Sequence, residues 1–198
     1  MIKVDIGCRF CMNIPNFVTL IRILLIPIFV LVFYLPFQQN HIVATIIFML
    51  AALTDWLDGY LARSLQQTSK LGEFLDPVAD KLVVAVALVL LVGENNFPYL
   101  AIPAAVIVGR EIVISALREW MAEVGKRASV AVSWVGKIKT TIQMIALVAL
   151  LAYKPGSFFW LGVIGYCLLY VAALLTLWSM VMYLKAAWGD LTFSEKTP

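Results

Sequence analysis

Long apolar stretches alternate with short polar ones along the whole chain, and the apolar stretches outrun the strands and short helices of a water-soluble core. Crossing a bilayer takes about 20 mostly apolar residues in a helix, the conformation that pairs its own backbone groups. The pattern therefore predicts an all-α integral membrane protein with six transmembrane helices, roughly over 15–37, 42–63, 74–93, 98–120, 130–152 and 158–184. Between them lie the polar connections QQNH, SLQQTSKL, GENNF and AYKPGS, together with a basic segment around Lys126 and Arg127.

Composition agrees with this class. Of 198 residues, 63% are hydrophobic and only 14% are charged, and the mean hydropathy is +0.94. That is more apolar surface than a soluble domain of this size can bury. The net charge of +3 does not imply a nucleic-acid partner, because the basic residues are sorted by side. Lys3, Arg9, Arg63, Lys70, Arg118, Lys126, Arg127, Lys185 and Lys196 fall at one set of helix ends, and Lys154 alone at the other. Basic residues accumulate on the side that is not translocated, so both termini and the second and fourth connections are expected in the cytoplasm. The first span, with Arg22 and Pro27 inside it, reads as a retained anchor rather than a cleaved signal.

Residues 1–11 read as an N-terminal extension, residues 12–188 as one membrane domain and residues 189–198 as a short polar tail that frays. Met12 opens MNIPN, itself a reasonable start. Cys8 and Cys11 form a single C-x-x-C with no second pair, too little for a metal or redox assignment, and Cys167 reads as an apolar side chain of the last span. His41, the sole histidine, reads as an ordinary loop residue on the outer side.

Against this background the segment TDWLDGYLARSLQQTSKLGEFLDPVADK stands out, because it places Asp55, Asp58, Asp76 and Asp80 at the cytoplasmic edge of two spans. At about 100° per residue, Asp55, Asp58, Gly59, Ala62 and Arg63 share one helical face. Gly72, Asp76 and Asp80, four residues apart, form a second stripe, with Pro77 tolerated in the first turn of its helix. Solvated helix ends would be the plain explanation, but four facing carboxylates repel one another and need compensating charge. Arg63 and Lys81 offset part of it. Two hard divalent cations, Mg²⁺ or Mn²⁺, offset it more completely. Such a pair suits phosphoryl or nucleotidyl transfer, with Arg63 placed to grip a phosphate. The phosphate loops, dinucleotide turns, zinc-protease helices and hydrolase elbows that would suggest other chemistry do not occur.

Spelled out, these residues read D-x2-D-G-x2-A-R-x8-G-x3-D-x3-D, filled by Asp55, Asp58, Gly59, Ala62, Arg63, Gly72, Asp76 and Asp80. This resembles the signature of the CDP-alcohol phosphotransferase family. The resemblance implies a six-helix membrane fold, usually a homodimer, with a binuclear Mg²⁺ or Mn²⁺ centre, that moves a phospho-group from a CDP-linked donor to an alcohol and releases CMP. It makes Asp55 and Asp76 ligands to both ions, Asp58 a ligand to the first and Asp80 a ligand to the second as well as the general base. It assigns Gly59 and Arg63 to the cytidine diphosphate, and Ala62, Ser69 and Gly72 to the nucleotide pocket. Asn16 and Thr19, in N-I-P-N-F-V-T-L-I-R, become candidates for the cytosine, against a plain role as helix cap and turn residue.

The alcohol is decided elsewhere. Arg110 in the fourth span and Lys137 and Lys139 in G-K-I-K-T-T of the fifth are unusual within membrane helices. They read as an anion pocket for a phosphorylated acceptor, with Arg118 a possible addition; otherwise Arg110 pairs with Glu111 and the lysines extend toward the interface. From N-I-P-N through R-E-I-V-I-S-A-L-R-E-W-M-A-E to L-T-L-W-S-M, the chain is most similar to the bacterial branch of the family that uses CDP-diacylglycerol and sn-glycerol 3-phosphate. That branch implies an enzyme of the inner membrane, surrounded by lipid, with its active site facing the cytoplasm. Serine, inositol phosphate or phosphatidylglycerol as acceptor is the alternative within the family. A cation transporter or a non-catalytic lipid-binding scaffold is the alternative outside it.

Overall fold

The computed structural model describes the backbone of residues 14–65, 70–94, 96–123, 134–156 and 159–192. Within these segments, the side chains of 14–18, 55–65, 70–74, 76, 118, 122–123, 134–137 and 186–192 lie outside the description. The described chain is helical, in six helices: α1 (Ile14–Tyr34), α2 (Asn40–Leu65), α3 (Lys70–Glu94), α4 (Ala101–Glu123), α5 (Trp134–Ala152) and α6 (Phe159–Thr192). Each overlaps one of the apolar runs read from the sequence.

Their limits differ from the sequence reading in instructive ways. The first helix ends at Tyr34, before Pro36, because the residue preceding a proline is pushed out of helical geometry. The third begins at Lys70, so Pro77 lies two turns inside α3 and not in its first turn. A proline there gives up the backbone bond to the Glu73 carbonyl, a loss the packing of α3 against four neighbours outweighs. The fourth helix starts only at Ala101, after a turn in which Tyr99 adopts a left-handed φ of 59°. At the other end of the sequence, α6 runs on to Thr192, into the segment expected to fray.

Helix α1 packs on α2 and α3, α5 packs on α2, α3 and α6, and α4 packs on α3 and α6. Small and large residues interlock at helical spacing: Ala44, Phe48 and Ala51 on α2 face Phe29 and Phe33 of α1, Val83 and Ala87 of α3, and Leu147, Leu150 and Leu151 of α5. Between α5 and α6 the approach is close enough that a Cβ on Gly165 would meet Ala149 and Leu150 at 3.0 Å. Packing of this kind substitutes for hydrophobic drive when the surroundings are as apolar as the core. The outward faces are apolar too, with Leu24, Leu31, Val89, Ile112, Trp160, Leu174, Trp178 and Met182 exposed. Phe159–Lys185 of α6 is long and apolar enough to cross a membrane, and protein covers only 33% of its most apolar window.

One end of the bundle is closed by polar and aromatic contacts. His41, expected in a loop, is buried in the first turn of α2, where its Nε2 lies 3.2 Å from Glu94 Oε1 and its ring meets Phe33 edge-on. Burial by helices distant in sequence is the reason the local pattern misplaces it. Asn96 donates to Glu94 Oε2 at 2.9 Å. Nearby, the Tyr166 hydroxyl donates to the Pro98 carbonyl at 2.8 Å and the Tyr170 hydroxyl to the Tyr99 carbonyl at 3.1 Å. Phe97 fits between Tyr153 and Tyr166. Gly162 leaves room for it, since a Cβ there would come within 2.6 Å of Phe97 Cζ.

Candidate active site

At the opposite end, α2 and α3 carry the acidic signature on helices that pack together. Asp55, Asp58, Gly59, Ala62 and Arg63 belong to the last three turns of α2, Gly72 and Asp76 to the first two of α3, and Asn16 to the start of α1; their side chains lie outside the described residues, as does Ser69. Among the described residues, no three His, Cys, Asp or Glu side chains converge as a metal site. Asp80 is described, and it is exposed on the wall of a large cavity. As a carboxylate it is a hard oxygen donor of the kind that divalent cations such as Mg²⁺ or Mn²⁺ take. Lys81, read from the sequence as a partial counter-charge for the aspartates, donates to the Ser115 hydroxyl of α4. Thr19 is buried in α1 with only 1% of its surface accessible, and Arg22, one turn further in, is buried to the same degree.

The basic set is assembled by three helices. Arg110 of α4, Lys139 of α5 and Glu111 of α4 meet at one carboxylate oxygen: Arg110 Nη1 donates to Glu111 Oε1 at 2.6 Å, and Lys139 Nζ lies 3.6 Å from the same atom. Arg110 also reaches α6, donating through Nη2 to the Ser179 hydroxyl at 3.2 Å. That hydroxyl donates in turn to the Thr176 carbonyl at 2.9 Å. Both cations are buried, with 7% and 3% of their side chains accessible, against 31% for Glu111. The pairing of Arg110 with Glu111 is therefore present, yet it extends to Lys139, so it organises the basic set instead of dispersing it. The Lys137 side chain, like that of Arg118, lies outside the described residues.

Asp80 and Glu111 line the same cavity, which has a volume of about 1420 Å³. Its polar wall includes Lys81, Ser115, Glu119, Thr140, Thr141 and Gln143. The rest is apolar and runs past Phe48, Val84, Met144 and Val148 to Ala152 and Leu161. A molecule with a charged head and long hydrocarbon tails matches that division.

Beyond the geometry, residues 12–181 match the model of the CDP-alcohol phosphatidyltransferase family. The chain belongs to that family. Similar proteins carry the name CDP-diacylglycerol–glycerol-3-phosphate 3-phosphatidyltransferase. The one from Salmonella paratyphi A is 56% identical over 179 residues, 90% of this chain and 97% of that protein. Those from Pseudomonas fluorescens and Yersinia enterocolitica are 58% and 57% identical, with 91% of this chain covered in each case and 92% and 97% of theirs.

In this CDP-alcohol phosphatidyltransferase, several polar residues beside the basic set escaped the sequence reading. Gln143 sits one turn beyond Lys139 on α5, and Thr176 and Ser179 are one turn apart on α6, all buried. Their signal was present as polar side chains repeating at helical spacing inside apolar runs. Arg22, used only to exclude a cleaved leader, carries the same signal three residues after Thr19.

Proposed function

We propose that the protein transfers the phosphatidyl group of CDP-diacylglycerol to sn-glycerol 3-phosphate, giving phosphatidylglycerol phosphate and CMP. The observation that carries this reading is the shared cavity, in which Asp80 of the signature and Glu111, holder of two buried cations, line one chamber with an apolar extension. Serine, which brings no phosphate and whose carboxylate is matched by its own ammonium, gives little reason to bury Arg110 and Lys139 together; a phosphorylated alcohol does.

Asp55, Asp58, Asp76 and Asp80 would hold two Mg²⁺ or Mn²⁺ ions, which when bound draw charge from the diphosphate oxygens. The chain's own groups do the rest. Arg63 and Gly59 would hold the cytidine diphosphate, Ala62, Ser69 and Gly72 its nucleotide, and Asn16 and Thr19 the cytosine. Arg110, Lys137 and Lys139 would bind the phosphate of the acceptor, which presents its 1-hydroxyl to Asp80. Asp80 takes the hydroxyl proton as the oxygen attacks the phosphorus nearest the lipid. The new O–P bond forms as the P–O bond to CMP breaks, with the electron pair leaving on CMP. Holding both reactants in one chamber turns an encounter into an oriented reaction.

The same reading makes the apolar run of each of the six helices a membrane span, places both termini and the site on the cytoplasmic side of the bacterial inner membrane, and makes the working unit a homodimer. Sorting of basic residues supports the orientation, and the apolar outer faces support the spans. The test is CMP release from CDP-diacylglycerol by purified protein, with and without Mg²⁺ or Mn²⁺, against glycerol 3-phosphate, serine, inositol phosphate and phosphatidylglycerol. Release that depends on glycerol 3-phosphate supports the reading. Preference for another acceptor overturns it.

A further inference from the structure

Glu111 holds two buried cations yet is itself the accessible partner. Its side chain is 31% accessible and lines the cavity, whereas Arg110 and Lys139 are anchored at 7% and 3%. Arg110 is also short of acceptors. Nη1 goes to Glu111 and Nη2 to Ser179, while Nε is buried without a hydrogen-bond partner. The hydroxyl of Thr176, wholly buried one turn from Ser179, likewise has none. An anion richer in oxygens than one carboxylate would satisfy this set better, and a guanidinium grips phosphate through two parallel N–H groups. Glu111 lines the cavity whereas neither Arg110 nor Lys139 does, so an anion arriving from the cavity meets the Glu111 carboxylate before it reaches the two cations.

We propose that Glu111 is a resident anion in the acceptor-phosphate position, displaced into the cavity when the phosphorylated alcohol binds. In the empty site it neutralises Arg110 and Lys139 and prevents two unbalanced cations from lying side by side in an apolar bundle. On binding, a phosphate with about two charges replaces it, and an uncharged alcohol cannot. Glu111 thus acts as a specificity determinant, setting a threshold that only a phosphate-bearing acceptor clears. It is a positioning residue and takes no part in the bond exchange.

This inference rests on the acceptor reading above, and its test separates the two. Glu111→Gln keeps the shape of the side chain and removes its charge, so phosphate no longer displaces a charged competitor. The KM for glycerol 3-phosphate and the inhibition constant for inorganic phosphate should both fall roughly tenfold, with the KM for CDP-diacylglycerol unmoved; Glu111→Asp, which restores a carboxylate, should return both toward wild type. If Glu111 merely props Arg110, both constants rise in Glu111→Gln, and the proposal is overturned. A measurement on the unaltered protein needs no variant to fold. Inorganic phosphate should increase carbodiimide labelling of Glu111, read by peptide mass spectrometry, and unchanged or reduced labelling overturns displacement. If instead wild-type CMP release does not depend on glycerol 3-phosphate, the acceptor reading fails, whatever the labelling shows.

Discussion

Glu111 and Glu94 are both glutamates beside a buried basic group, at opposite ends of the same helical bundle, and they have opposite surroundings. Glu111 lines an open cavity and holds Arg110 and Lys139 through one oxygen. Glu94 is enclosed among helix ends, where it meets the His41 imidazole at 3.2 Å and the Asn96 amide at 2.9 Å. Burial pushes the Glu94 carboxyl up to about 7, and burial with the nearby Lys154 charge pushes His41 down. Burial at the closed end thus shifts both groups toward their neutral forms, while at the open end two buried cations share one accessible carboxylate. An ion pair by itself indicates neither stability nor function. Access to a ligand-sized space makes the distinction.

Four changes test that division, beginning with the largest effect. Asp80→Asn, on the cavity wall, should lower CMP release about 100- to 10,000-fold, the usual worth of a positioned base, while CDP-diacylglycerol binding persists; near-normal turnover would remove Asp80 from the role of base. Lys139→Ala should raise the KM for glycerol 3-phosphate roughly 10- to 100-fold. A change confined to the donor's KM would move Lys139 to the other substrate.

At the closed end, Gly162→Ala forces a methyl against Phe97 and Tyr153. Overpacking of this kind costs about 1–3 kcal/mol, or about 5 °C in melting temperature for a chain of this size. Both KM values should stay put, and a large shift in either would show that the two ends communicate.

Smallest should be the pH effect of Glu94→Gln. Because Glu94 holds its proton more tightly when folded than unfolded, its contribution is complete below a pH of about 4.5 and is lost as pH rises through about 7. His41, shifted down, contributes in the opposite sense, losing stability as pH falls through its folded value. Glu94→Gln should therefore raise the melting temperature at pH 8 relative to wild type by about 3 °C and leave it little changed at pH 4. Equal shifts at both values would exclude titration of Glu94 as the cause.

Six helices are legible in the sequence because each apolar run is long and bounded by polar residues. Their ends are less so. Pro77 looks like a helix start, yet α3 begins at Lys70, since contacts with four other helices outweigh one lost backbone bond. The acidic stretch is conspicuous because its spacing is local, four aspartates over two adjacent helices. Arg110 and Lys139 are visible as charges in apolar runs, but their shared carboxylate joins α4 to α5, and the bond from Arg110 to Ser179 brings in α6 from 69 residues away. Ser179 and Thr176 are marked only by their helical spacing, a weak signal because small hydroxyl residues are common in apolar helices. His41 is the converse case, a polar residue read as part of a connection but buried at the start of α2 against Phe33 and Glu94.

Helix α6 also acts as a ruler. From Trp160 to Ser179 is 19 residues, roughly 28 Å of helix, close to the thickness of a bilayer's hydrocarbon core. Under the proposed topology, with Trp160 at one interface, the hydroxyl that steadies Arg110 would lie toward the other, near the depth of the lipid headgroups. The water-soluble substrate would then have little need to descend into the membrane, and the lipid little need to rise out of it. Both would meet near the plane where a phospholipid already carries its phosphate.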